Sequence, residues 1–195
     1  MDYGIINLNM VAVRKKNNAK SEMINQLFFG ESITIIKTKE KWSLIISNID
    51  NYQGWIRNLH FKSIKESDYK ILSKTNSIFS KYEIIIKNDI SEITIPTGSL
   101  LSSINFLNYS YVDDDESKSL QETIQSFINS PYLWGGKTKY GVDCSGLVQS
   151  IFKTLNIILP RDSHEQSDFG VEIKEAYKLG DLGFFGENLN RISPV

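Results

Sequence analysis

Tyr132-Leu133-Trp134-Gly135-Gly136-Lys137-Thr138-Lys139-Tyr140-Gly141-Val142-Asp143-Cys144-Ser145-Gly146-Leu147-Val148-Gln149-Ser150 sets the only cysteine of the 195-residue chain between a glycine-bearing turn and an apolar run. Leu147, Val148, Ile151, Phe152 and Leu155 recur behind it at helical spacing, so the pattern predicts a helix that starts at the cysteine. The glycines ahead of it permit the tight turns that bring the chain to that start. A cysteine at a helix N-terminus meets unpaired N–H groups and the positive end of the helix dipole. That end favours negative charge and can hold the oxyanion of an acyl transfer. On the residues alone the other reading stays open, because a lone cysteine also serves as a small apolar core residue.

Working upstream, Leu120, Ile124, Phe127 and Ile128 mark one face of another helix, which must end before Pro131. The acidic run Asp113-Asp114-Asp115-Glu116 reads as a solvated boundary turn that favours a helix start. Before it the pattern is β. Val11–Val13, Ser32–Ile36, Trp42–Ile46 and Gly54–Ile56 are short β-branched or aromatic runs, separated by polar breaks, and predict a small all-β barrel. Tyr82–Ile86, Glu92–Pro96 and Gly98–Leu101 repeat the style, with Pro96 confining the middle run to an edge or a strand end. Downstream, Gly180-Asp181-Leu182-Gly183-Phe184-Phe185 begins a further strand. Strands followed by helices argue for separate domains.

A composition of 41% hydrophobic, 11% aromatic and 23% charged residues fits an ordinary globular protein, and a formal charge of -1 gives no reason to expect nucleic acid or an anionic membrane as partner. No apolar run approaches the roughly 18 residues that span a bilayer. The N-terminus lacks a basic start and a cleavage site, so the expected location is the cytoplasm rather than the periplasm or exterior. Two distant histidines and one cysteine make no metal-ligand set, and no cofactor is expected.

Four stretches in order, Tyr132 to Gly136, Asp143-Cys144-Ser145-Gly146, Leu159-Pro160-Arg161-Asp162-Ser163 and Gly180 to Phe185, resemble the successive motifs of the NlpC/P60 cysteine peptidases. Ser21-Glu22-Met23, Gln26 to Glu31, Trp42 and Asn51-Tyr52-Gln53-Gly54-Trp55-Ile56 resemble the bacterial SH3 domain that precedes such peptidases. The arrangement is similar to the γ-D-glutamyl-L-diamino acid endopeptidases, which cleave cell-wall (peptidoglycan) peptides. The resemblance implies an α+β chain: an SH3-like domain over 1–62, a second degenerate SH3-like unit or linker over 63–116, and a papain-like NlpC/P60 domain with an incomplete sheet over 117–195.

By that resemblance Cys144 is the nucleophile and Tyr132 assists the oxyanion. Trp134, Asp143, Ser145, Asp162 and Ser163 line the substrate groove, with Asp143 suited to a peptide ammonium. Tyr52 closes the groove near the free L-alanine end of a peptide such as L-Ala-γ-D-Glu-diamino acid, and a barrel glutamate, Glu22 in preference to Glu31, joins it in holding the amine. Each has a plainer alternative. Trp134 can be a core aromatic, Ser145 and Asp162 can be helix caps, and Tyr52 and Glu22 can be barrel surface.

One departure from the family pattern bears on catalysis. A cysteine nucleophile of this type needs an imidazole to take its proton and pass it to the leaving amine. In Arg191-Ile192-Ser193-Pro194-Val195 the histidine position of the motif holds Pro194, and the polar residue that orients the histidine is missing too. His164 follows Ser163 at a variable motif position and His60 lies at the barrel's end, and neither is assigned as base. Little or no endopeptidase activity is therefore expected, together with an exposed apolar patch over 147–155. The competing class is a non-catalytic peptide-binding module or pseudoenzyme remnant.

Overall fold

The computed structural model describes residues 2–112, 119–174, 176–186 and 193–194. Its first 64 residues form strands β1 (Asp2–Ile5), β2 (Met10–Arg14), β3 (Met23–Phe28), β4 (Ser32–Lys39), β5 (Trp42–Ser47), β6 (Gln53–Arg57) and β7 (Lys62–Ile64). They pair antiparallel in the order β3-β2-β6-β5-β4-β1-β7. Alternation of buried and less buried residues along β2 and β5 puts Val11, Val13 and Ile45 on the inner face, where they meet Leu27, Ile33 and Ile56. Register shifts at Val13/Arg14 and Ile35/Lys37 are where the strands bend, as bulged strands do. The four predicted strands are present. The pattern did not single out β1, β3 or β7 as strands.

A helix, α1 (Glu66–Leu72), leads to β8 (Ile84–Lys87), β9 (Glu92–Ile95) and β10 (Ser110–Tyr111), which pair as β10-β8-β9. This small sheet shares one core with the barrel: Ile84, Ile86, Ile95, Ile104 and Leu107 cluster with Ile5 and Phe29. The strand expected over Gly98–Leu101 is instead a turn running into a 3-10 helix over Leu101–Ser103. Its polar groups serve other partners: the Leu100 N–H donates to the Phe29 carbonyl, the Ser99 hydroxyl to Pro96 and the Ser103 hydroxyl to Gly30. The bonds to Phe29 and Gly30 fasten the small sheet to the barrel. The acidic run 113–116 lies outside the described residues.

Helix α2 (Leu120–Gln125) starts on a capping box in which Ser119 and Glu122 satisfy each other's backbone N–H groups. It is shorter than the apolar spacing predicts. The chain turns after Gln125, so Phe127 is buried while Ile128 is exposed. The hairpin β11 (Lys137–Thr138) and β12 (Gly141–Val142) precedes α3 (Cys144–Thr154), which begins at the cysteine as predicted. The short helix α4 (Ser163–Phe169) and the pair β13 (Phe184–Phe185) and β14 (Ser193–Pro194) complete the described fold, and β14 lies against α3.

The burial of α3 departs from the simple amphipathic picture. Its polar residues Gln149, Ser150, Lys153 and Thr154 are buried, whereas Leu147, Ile151 and Phe152 are half-buried and Leu155 is exposed. The polar face is docked against the barrel and the β11 hairpin: Lys153 pairs with Glu31, Gln149 Nε2 donates to Asp50 at 3.0 Å and the Ser150 hydroxyl to the Lys137 carbonyl at 2.9 Å. Buried polar groups are tolerated when so paired. No helix among the described residues is long and apolar enough to cross a membrane.

Candidate active site

Asp143 is the N-cap of α3, with extended backbone and a side chain that accepts from the Gly146 N–H at 2.7 Å. The cap leaves the N–H groups of Cys144 and Ser145 as first-turn donors without an intrahelical acceptor. Cys144 is partly exposed there. The expectation that Asp143 receives a peptide ammonium does not fit this geometry. The carboxylate is 6% exposed, and its second oxygen accepts from the Gly135 N–H at 2.7 Å and from Arg161 Nη2 at 2.6 Å. Both oxygens are spent on holding the turn and the helix start together.

Arg161 is the residue that sequence reasoning passed over. At 2% exposure it donates from Nη2 to Asp143, from Nη1 to the Ser145 hydroxyl at 2.8 Å and from Nε to Asn25 Oδ1 of β3 at 3.1 Å. A planar guanidinium can serve three acceptors in fixed directions where an ammonium could not. Ser145 is thus buried and bonded within this network rather than lining an open groove. Gln166 adds a further tie, donating from Nε2 to the carbonyls of Ser145 and Pro160.

The turn before the cysteine is fitted to the barrel. Gly135 has φ +77°, and a Cβ there would approach the Met23 carbonyl oxygen to 2.6 Å, so only glycine permits this contact. Beside it the Lys137 N–H donates to Gln26 Oε1 at 2.7 Å. Edge strand β3 therefore gives Met23, Asn25 and Gln26 to the C-terminal half, which explains why Asn25 and Gln26 are buried despite their polarity.

Tyr132, Trp134, Tyr52, Glu22 and Asp162 form the accessible rim. Tyr132 is 68% exposed, and burial together with the charges of Cys144 and Asp143 pushes its phenol above the usual range. Trp134 is 59% exposed, which removes the core-aromatic alternative, and its indole Nε1 donates to Glu22 Oε1 at 2.9 Å. Tyr52 donates its hydroxyl to both carboxylate oxygens of Asp162, at 3.3 and 3.4 Å, and burial plus the Asp162 charge raises its pKa strongly. Asp162 stands at the N-cap position of α4, but its side chain makes no capping bond. Ser163 opens α4, half-buried. Glu31, the other barrel glutamate considered for an amine, is 1% exposed and paired with Lys153, away from this rim.

Strand register brings the two barrel residues to one end of the sheet. Arg14 of β2 pairs with Met23 on one flank and Trp55 on the other, so Glu22 and Tyr52 both lie at the entry ends of their strands, with one strand between them. His164 is exposed on α4, and His60, half-buried, has its pKa lowered by burial and by Arg57. Pro194 pairs with Phe184 on β14. Among the described residues no group of three His, Cys, Asp or Glu side chains could hold a metal ion.

Comparison with known proteins agrees with this arrangement. Residues 129–193 match the NlpC/P60 family and residues 13–60 match the bacterial dipeptidyl-peptidase Sh3 domain. A γ-D-glutamyl-L-lysine dipeptidyl-peptidase of Bacillus cereus is 24% identical over 204 residues, covering 86% of this chain and 61% of that protein. Its counterpart in Bacillus subtilis is 25% identical over 197 residues, covering 82% and 63%. The chain thus spans about three fifths of the length of these relatives. A crystal structure of an NlpC/P60 family protein from Bacillus cereus superposes with a TM-score of 0.74 at 16% identity, covering 99% of this chain and 86% of that one, which shows a shared fold. Residues 13–60 thus carry a bacterial SH3 domain and residues 129–193 an NlpC/P60 domain.

Proposed function

We propose that this chain carries the site of a cysteine endopeptidase for γ-D-glutamyl-diamino acid bonds in peptidoglycan-derived peptides, and that Pro194 leaves it binding such peptides with little turnover. The observation that carries the reading is the two-sided rim. Barrel residues Glu22 and Tyr52 hydrogen-bond Trp134 and Asp162, on the two motifs that flank the cysteine helix. The relatives from Bacillus carry names for this reaction.

In the reaction Cys144 Sγ attacks the amide carbonyl, and the first-turn N–H groups of α3 with the Tyr132 hydroxyl receive the developing oxyanion. The amine then leaves with a proton, and water releases the acylated product. Glu22 and Asp162, carboxylates at the rim, suit the free ammonium of the L-alanine end. Such an end-capped groove selects released peptides over intact wall polymer. Each acyl transfer needs a proton acceptor near Cys144, and a proline in the motif's histidine position supplies none.

Incubation of the chain with L-Ala-γ-D-Glu-L-Lys and with the diaminopimelate analogue, followed by chromatography, tests this. No release of the diamino acid above a Cys144→Ala control is expected. Turnover that Cys144→Ala abolishes would contradict the loss of the base and turn attention to His164.

A further inference from the structure

Glu22 already holds a primary ammonium. Its Oε2 accepts from Lys15 Nζ at 3.0 Å while Oε1 accepts from Trp134 at 2.9 Å. Lys15 is delivered to that place by the backbone. The Lys15 N–H donates to the Glu22 carbonyl at 3.1 Å, the Lys16 N–H to the Ser21 hydroxyl at 3.0 Å, and Arg14 Nη1 to the Ser21 carbonyl at 2.9 Å. The two side chains therefore face each other across the mouth of the loop between β2 and β3.

Trp134 in turn precedes Gly135, whose N–H is bonded to the Asp143 cap. The Glu22 carboxylate is thus bonded to the same short segment that fixes the start of the cysteine helix. A carboxylate with one oxygen on an indole N–H and the other on a –NH3+ group is arranged as it would be around the free amine of a peptide.

We infer that Lys15 is a tethered stand-in for the ligand's amine: it occupies Glu22 in the free protein, must be displaced on binding, and so sets how strongly the site discriminates a free N-terminus. This rests on the reading of the rim as a peptide-amine subsite. The contact is solvent-exposed on both sides and exposed pairs of this kind are weak, so removing the competitor raises affinity by only about two- to fivefold.

The test is calorimetric titration of L-Ala-γ-D-Glu-L-Lys and its N-acetyl form into the Cys144→Ala chain, with and without Lys15→Met or Lys15→Arg. Lys15→Met tightens the free-amine peptide two- to fivefold, leaves the acetylated peptide unchanged, and Lys15→Arg stays near the parent value. If the parent prefers the free amine and Lys15→Met leaves that preference equal or weaker, the stand-in role is overturned while the amine subsite survives. If the parent does not distinguish the two peptides, the subsite itself falls and the role of Lys15 with it.

Discussion

Tyr52 of the barrel and Asp162 of the segment before α4 are joined by a hydrogen bond that spans 110 positions of sequence. It ties the loop before β6 to the segment that follows α3. The hydroxyl is the donor, so Asp162 stays an acceptor with capacity to spare, free of capping duty. With the Glu22–Trp134 and Asn25–Arg161 bonds it docks the barrel on the residues around the cysteine helix.

Arg161 ties the start of α3 to strand β3, and Arg161→Met is expected to cost about 3–5 kcal/mol, because it strands the buried Asp143 carboxylate without its cation. Arg161→Lys recovers only part, since one ammonium cannot reach Asp143, Ser145 and Asn25 together. Urea midpoints of the three proteins check the order. A midpoint for the methionine variant equal to the parent's would contradict it.

The helix start at Cys144 was legible in the sequence because glycine turn, polar cap and apolar stripe form one compact local motif. The sequence did not carry Asn25, Gln26 or Gln149. Their partners are Arg161, Lys137 and Asp50, about a hundred or more residues away, and a polar residue in a strand or helix gives no local sign that it will be buried. The same gap misdirected Asp143. A carboxylate beside a nucleophile reads as a ligand for substrate until the long-range arginine that occupies it is seen. The stretch from Gly98 likewise looked like a strand because the bonds of Gly98 to Ser80 and of Leu100 to Phe29 are tertiary.

Glu31 and Lys153 form a buried ion pair between barrel and α3, with the Lys153 ammonium also above the Phe28 and Phe79 rings at 5.5 and 5.0 Å. Removing one partner leaves a buried charge, so Glu31→Leu and Lys153→Met singly each lose about 3–5 kcal/mol. The double variant returns to within about 1 kcal/mol of the parent. A double-mutant cycle by chemical denaturation measures this, and additive losses would show that the two groups act independently.

Lys137 is buried beside Glu31, Lys153, Asp50 and Arg161, and burial brings its pKa down to about 8. Below that pH both folded and unfolded chains hold the proton, and Lys137 contributes no slope. Between about 8 and the ordinary lysine value of 10.5 the unfolded chain keeps a proton that the folded one has released, so stability rises with pH by about 1 kcal/mol per unit. Denaturation of the parent and of Lys137→Met at several pH values isolates the effect. The difference between the two should change across that window and be flat below it.

The most direct test of the central claim, that barrel and cysteine helix together form a site for a peptide with a free amine, is calorimetric binding of L-Ala-γ-D-Glu-L-Lys to the Cys144→Ala chain, compared with Tyr52→Phe and Asp162→Asn in the same background. The account predicts measurable binding to the parent, weakened severalfold by Tyr52→Phe and about tenfold or more by Asp162→Asn, which removes a charge facing the ammonium. Equal affinity in all three proteins would contradict it.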